Sequence, residues 1–122
     1  MPRLHFALDL KDDPSLIAEY DAWHQPRNIW PEIPRFLHAA GVRELEIFRC
    51  GDRLVMVMDV PADFSVTRHA ELGNADPRAS AWEELMWKYQ RSLPFARPGE
   101  KWVPMARVFS LREALAEPEQ GT

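Results

Sequence analysis

The sequence predicts an α+β fold: a four-stranded antiparallel sheet with helices on one face. Three observations predict it. Residues 4–10 and 43–49 alternate apolar and polar side chains at the period of a strand. Asp12-Asp13-Pro14 and Asp76-Pro77 each set a capping aspartate before a proline suited to a first helical turn. With 122 residues and a single cysteine, the chain can bury one core without a disulfide.

The elements follow in order. Leu4, Phe6, Leu8 and Leu10 make one face of a first strand. A helix opens at Pro14 and carries Leu16, Ile17, Tyr20 and His24 at helical spacing to about Gln25, where Pro26 stops it. Ile33, Phe36, Leu37 and Ala40 repeat at three and four residues in a second helix, with Gly41 as its C-terminal cap. Residues 43–49 then form a strand with one wet face. Cys50-Gly51-Asp52 turns the chain, and residues 54–58 return as a more completely buried strand, closing a hairpin. A short helix is expected over residues 64–72, broken by Gly73-Asn74. A stronger one is expected over residues 78–91, with Trp82, Leu85, Met86 and Tyr89 as its core stripe. After a loop at 94–99, residues 101–111 read as the last strand. Pro104 cannot donate to a ladder, so that strand belongs at an edge or bulge.

The order β, broken α, β, β, broken α, β matches the ferredoxin-like split βαβ pattern. Residues 1–116 are expected to form a single domain and the polar residues 117–122 a disordered tail. Such a sheet leaves one face bare, and its apolar alternates make exposure costly. A second copy packed sheet to sheet would cover it, so a homodimer is expected.

Composition excludes several function classes. The chain is 46% hydrophobic and 28% charged, and its apolar runs are too short to span a bilayer, so no membrane partner is expected. Its first residues lack the pattern of a secretory signal, which predicts a cytoplasmic location. The net charge of −4 includes no concentrated basic stretch, which argues against nucleic acid. Cys50 stands alone, and His5, His38 and His69 lack partners at ligand spacing, so no metal site is expected. There is no glycine-rich phosphate loop and no Gly-x-Ser-x-Gly elbow. Five tryptophans are many for so short a chain, and indole faces are a common seat for the apolar side of a sugar ring.

Tyr20 and His24, four residues apart on a helix, share one face and can reach one ligand. A phenol and an imidazole can exchange protons, as sugar ring opening requires. From spacing alone, a pair of core-edge residues with polar tips in water is the commoner reading, since a tyrosine and a histidine often stand four apart. Asn28-Ile29-Trp30-Pro31-Glu32 is either a packed helix entry or a wall that seats a sugar against Trp30. Trp87 falls off the core stripe of its helix, so its indole covers a ligand, a dimer partner or a neighbouring loop. Lys88 and the adjacent Glu83-Glu84 read as solvated charges.

Taken together, Glu19-Tyr20, His24, Ile29-Trp30-Pro31-Glu32, Gly41, the hairpin, Trp87-Lys88-Tyr89 and Val108-Phe109-x-Leu111 resemble the L-rhamnose mutarotase family over nearly the whole chain. The resemblance implies a dimeric α/β barrel that interconverts the α and β anomers of a 6-deoxy hexose without a cofactor. It assigns proton donation to His24 and sugar contact to Tyr20. Three departures bear on the pocket. Gln25-Pro26-Arg27-Asn28 makes a longer bridge before the Trp-Pro pair. Met86 stands where the family has the first of two tandem tryptophans, and Trp82, one turn earlier on the same face, can take its place. Leu45 stands where the family has a sugar-contacting tyrosine. The substrate-binding set expected from this resemblance is therefore Trp30, Trp87, Trp82, Met86 and Leu45, holding either L-rhamnose or L-fucose. Other readings open at this level are a small monooxygenase or haem-degrading protein on the same barrel and a non-catalytic ligand-binding module.

Overall fold

A computed structural model describes residues 2–118. The elements are β1 (Arg3–Leu10), α1 (Pro14–Trp23), α2 (Glu32–Ala39), β2 (Glu44–Cys50), β3 (Arg53–Asp59), α3 (Val66–Ala75), α4 (Pro77–Met86), β4 (Gln90–Arg91), β5 (Val103–Pro104) and α5 (Leu111–Ala116). The strands form one antiparallel sheet in the order β2-β3-β1-β4, with β5 also paired to β1. This is the ferredoxin-like arrangement, with its fourth strand position divided. Gln90 lies opposite Leu10 and Val103 opposite Ala7, so β4 and β5 share one edge of β1.

Local chemistry explains the boundaries. The Asp13 carboxylate accepts from the amides of Ser15 and Leu16 at 2.9 and 3.1 Å, and Pro14 occupies the first turn, where a missing N–H costs nothing. Asp76 caps α4 in the same way through Arg78 and Ala79, both at 3.0 Å. Gly41 leaves α2 at φ +95°, a conformation strained for other residues, and the chain turns there into β2.

Leu8, Leu10, Leu54, Met56 and Met58 are buried on the face of the sheet that the helices cover. Leu10 and Leu54 cluster with Tyr20 of α1, Ile33 of α2 and Trp82 and Met86 of α4, and Met56 and Met58 cluster with Phe6 and Val42 against Leu37 of α2. On the opposite face, Val103, Ala7, Val55 and Phe48 are cross-strand neighbours in one row, and Phe48 is 54% exposed.

Four sequence expectations need correction. The helix expected over residues 64–72 continues through Gly73-Asn74 to Ala75. Capped by Ser65 and packed with Gly73 beside the Phe36 ring, it stops only at Asp76. Helix α4 ends at Met86, not Arg91, because Gln90 and Arg91 pair with β1 instead. The last strand shrinks from residues 101–111 to Val103–Pro104, since Pro104 donates nothing and only the Met105 amide bonds onward, to His5 at 2.8 Å. Residues 111–116 are helical. Ser110 caps this helix, its hydroxyl accepting from the Glu113 amide at 3.3 Å, while the Glu113 carboxylate pairs with Arg107. Of the tail expected to be disordered, residues 119–122 lie outside the described residues, and Glu117 caps α5.

Candidate active site

A cavity of about 550 Å³ opens between the helix-covered face of the sheet and the helices. That volume suits one monosaccharide better than a macromolecule. Leu45, Ile47, Met56 and Met58 form its floor from the sheet, Tyr20 and His24 enter from α1, and Trp82, Glu83 and Met86 come from α4. Trp87, Gln90, Lys101 and Trp102 close the side nearest β4 and β5.

Tyr20 is 3% exposed, and its ring lies 4.3 Å from that of His24, as their four-residue spacing on one helix dictates. The His24 Nδ1 lies 2.7 Å from the Tyr20 backbone carbonyl. Trp82 meets His24 edge-on at 5.5 Å, which fixes the ring from its other side. Burial holds the His24 imidazole below its ordinary value of 6.5, with the Tyr20 carbonyl opposing the shift. Burial also pushes the Tyr20 phenol well above its ordinary value of 10.0. Near neutral pH the pair is therefore a neutral phenol beside a neutral imidazole, a proton donor beside a proton acceptor.

The Tyr20 hydroxyl and the Gln90 Oε1 are buried without hydrogen-bond partners, and so is the Nδ1 of His69, a half-buried residue of α3. Each orphan costs about 1–3 kcal/mol until something bonds to it. Three such atoms in one cavity mark it as built for a polar guest.

The remaining expected residues divide. Leu45, Met86, Trp82 and Trp87 all line the cavity with Tyr20 and His24. Trp30 stands behind that wall. Its ring contacts Trp82 edge-on at 5.3 Å, and the Arg78 guanidinium stacks over it at 3.9 Å, held in turn by Glu32 at 3.1 Å. Trp87 is covered by a neighbouring loop as well as by the cavity, with Lys101 Nζ lying 4.5 Å from its ring.

Glu83, read from the sequence as a solvated charge, sits at the rim. It accepts from Lys101 Nζ through its carboxylate at 2.6 Å and through its backbone carbonyl at 3.0 Å. Lys88 pairs with Glu19 at 3.7 Å, and Tyr89 joins Trp23 through a 2.9 Å bond from the indole N–H to the phenol oxygen. These contacts tie α1, which carries Tyr20 and His24, to the turn that carries Trp87.

Gln90, Lys101, His69 and Trp102 were missed as site residues. The only signal available for Gln90 was a polar side chain directly after Tyr89, and that alone does not separate a site residue from a surface one. Among the described residues no three His, Cys, Asp or Glu side chains converge as a metal site, and no helix is long and apolar enough to cross a membrane.

The family described as L-rhamnose mutarotase matches residues 3–111. The chain belongs to the L-rhamnose mutarotase family. Members of a mutarotase family interconvert sugar anomers, the proton chemistry that a phenol and an imidazole can support. An L-fucose mutarotase from Xanthomonas campestris pv. campestris is 51% identical over 116 residues, covering 95% of this chain and 93% of that protein. The crystal structure of an L-rhamnose mutarotase from Formosa agariphila superposes with a TM-score of 0.65 at 21% identity, covering 91% of this chain and 99% of that one. A type-II polyketide cyclase from Streptomyces glaucescens superposes with a TM-score of 0.54 at 16% identity, covering 90% of this chain and 98% of that one. The two structures establish the shared ferredoxin-like fold.

Proposed function

We propose that this member of the mutarotase family is an isomerase that interconverts the α and β anomers of L-fucose, with L-rhamnose the competing substrate. The observation that carries the chemistry is the placement of the Tyr20 and His24 rings 4.3 Å apart in the lining of one cavity, where burial favours the neutral form of each. The choice of L-fucose rests on the 51% identity to the Xanthomonas campestris L-fucose mutarotase. The aliphatic Leu45 and Met86 at two positions where the family has aromatic sugar contacts support a pocket different from one for L-rhamnose.

In this reading the pyranose lays its apolar face and methyl group against Trp87 and Trp82. Because its Nδ1 faces a carbonyl oxygen, His24 keeps its free lone pair on Nε2. Since burial favours the neutral ring, that nitrogen first removes the proton of the anomeric hydroxyl and donates it only on ring closure, a departure from the donor role that the resemblance implies. Tyr20, beyond contacting the sugar, meanwhile protonates the ring oxygen. The bond between the anomeric carbon and the ring oxygen breaks and leaves an open-chain aldehyde. Rotation beside the aldehyde presents its other face. Tyr20 then takes back the proton of the ring-forming hydroxyl, His24 returns its proton to the carbonyl oxygen, and the opposite anomer closes. No atom or electron is gained or lost, so the cycle needs no cofactor. Trp30 acts one layer out, by holding Trp82 in place.

The same reading takes residues 1–116 as one catalytic domain that works in the cytoplasm as a homodimer on a small monosaccharide. The apolar row from Val103 to Phe48 on the helix-free face supports the dimer, as do Val108 and Phe109, which are 95% and 68% exposed. Polarimetry tests the activity. Freshly dissolved α-L-fucose should reach its equilibrium rotation faster in proportion to added enzyme, and an unchanged rate sinks the assignment.

A further inference from the structure

Gln90 is 4% exposed, and its Oε1 has no hydrogen-bond partner. It lines the same cavity as Tyr20, whose buried hydroxyl likewise has no partner within hydrogen-bonding geometry, although the Gln90 carboxamide lies close enough to favour the ionised phenol and so oppose the effect of burial. The backbone around Gln90 is pinned, because β4 pairs it with Leu10 at the edge of β1. Tyr89 beside it is 2% exposed, so the carboxamide sits in a part of the chain closed to solvent. A carboxamide oxygen can only accept and a phenol can donate, so the two atoms ask for different halves of one hydroxyl group.

We propose that Gln90 is a specificity-determining residue of this site: its Oε1 accepts a hydrogen bond from one ring hydroxyl of the sugar, next to the Tyr20 phenol. The assignment rests on the mutarotase reading and adds to it the group that reads hydroxyl orientation. The walls contributed by Leu45, Met86 and Trp87 are apolar or aromatic and discriminate weakly between sugars that differ only in the direction of a hydroxyl. A buried acceptor discriminates strongly, because the wrong epimer leaves it unpaired. Gln90 thus reads a hydroxyl from β4, at the edge of the sheet opposite the β2 strand that carries Leu45.

The test is a chemical double-mutant cycle. Anomer-exchange kcat/KM is measured for wild type, Gln90→Met and Gln90→Asn on L-fucose, L-rhamnose and the monodeoxy L-fucoses. Methionine keeps the length without the acceptor, and asparagine keeps the carboxamide but withdraws it by one methylene. For wild type, removal of one particular hydroxyl should cost at least about 10-fold. Each variant should lose a similar factor on L-fucose and show no further loss on that one deoxy sugar. Gln90→Met should also melt no lower than wild type, since it removes an orphaned acceptor. An active wild type whose two variants keep every deoxy penalty unchanged overturns this assignment alone. A wild type with no exchange on any sugar overturns the mutarotase reading and this assignment with it.

Discussion

The Nδ1 of His24 lies 2.7 Å from the backbone carbonyl oxygen of Tyr20, one helical turn earlier. A carbonyl oxygen can only accept, so Nδ1 holds the hydrogen and the neutral ring presents a bare Nε2. The bond ties the orientation of the imidazole to the residue that supplies the phenol, so one helical turn positions both groups proposed to move protons. Its occurrence at the C-terminal end of α1, where carbonyls lack amide partners, explains why the ring can reach the backbone there.

The first prediction concerns pH. Burial depresses the His24 value below 6.5, so the imidazole is neutral near pH 7 and becomes protonated only in more acidic solution. A base must be unprotonated to act. Exchange should therefore be level through neutral pH and fall along an acid limb whose midpoint lies below 6.5. Folding stability carries the same sign: the unfolded histidine binds its proton first, so stability declines as pH drops from 6.5 through the folded value. A kcat/KM profile with its acid midpoint at or above 6.5 contradicts the assignment.

Replacing His24 by alanine should lower the exchange rate by about 10²- to 10⁴-fold, the usual contribution of a positioned acid–base group. Sugar affinity should change little, because the walls at Trp82, Trp87 and Met86 remain. Exchange kinetics together with calorimetric titration of L-fucose check both halves.

Tyr20→Phe should separate activity from stability. The Tyr20 hydroxyl is buried and has no partner, so removing it strands nothing and spares its desolvation. The urea midpoint should hold or rise, while exchange falls at least about 10-fold. A stability loss above about 1 kcal/mol would mean that the hydroxyl is bonded within the protein.

Much of this arrangement is legible in the sequence because it is local. Alternation marks β1 and the β2–β3 hairpin, aspartate before proline marks the starts of α1 and α4, and the spacing of Tyr20 and His24 places them on one face. What could not be read depends on contacts distant along the chain. Trp30 is turned into a supporting role by Arg78 of α4, which stacks on it, and no feature of the Trp-Pro-Glu segment announces that partner. Lys101 becomes part of the rim through Glu83, 18 positions earlier. Gln90 enters the cavity because β1 captures it as an edge strand, ending the helix that periodicity extends to Arg91.

The proposed homodimer gives a prediction independent of catalysis. Val55 sits at the centre of the apolar row on the helix-free face, opposite Ala7 and Phe48. Val55→Glu places a charge there without touching the cavity lining. Light scattering should give wild type twice the 14.2 kDa chain mass and the variant a single chain mass. A monomeric wild type contradicts sheet-to-sheet pairing.

The central claim is that Tyr20 and His24 open and close a 6-deoxy hexose ring. Two-dimensional exchange NMR on the anomeric protons of L-fucose and L-rhamnose measures that step without a coupled assay. Catalytic amounts of enzyme should produce cross-peaks between the α and β protons, stronger for L-fucose and absent with His24→Ala. Equal exchange with and without enzyme for both sugars would contradict the account.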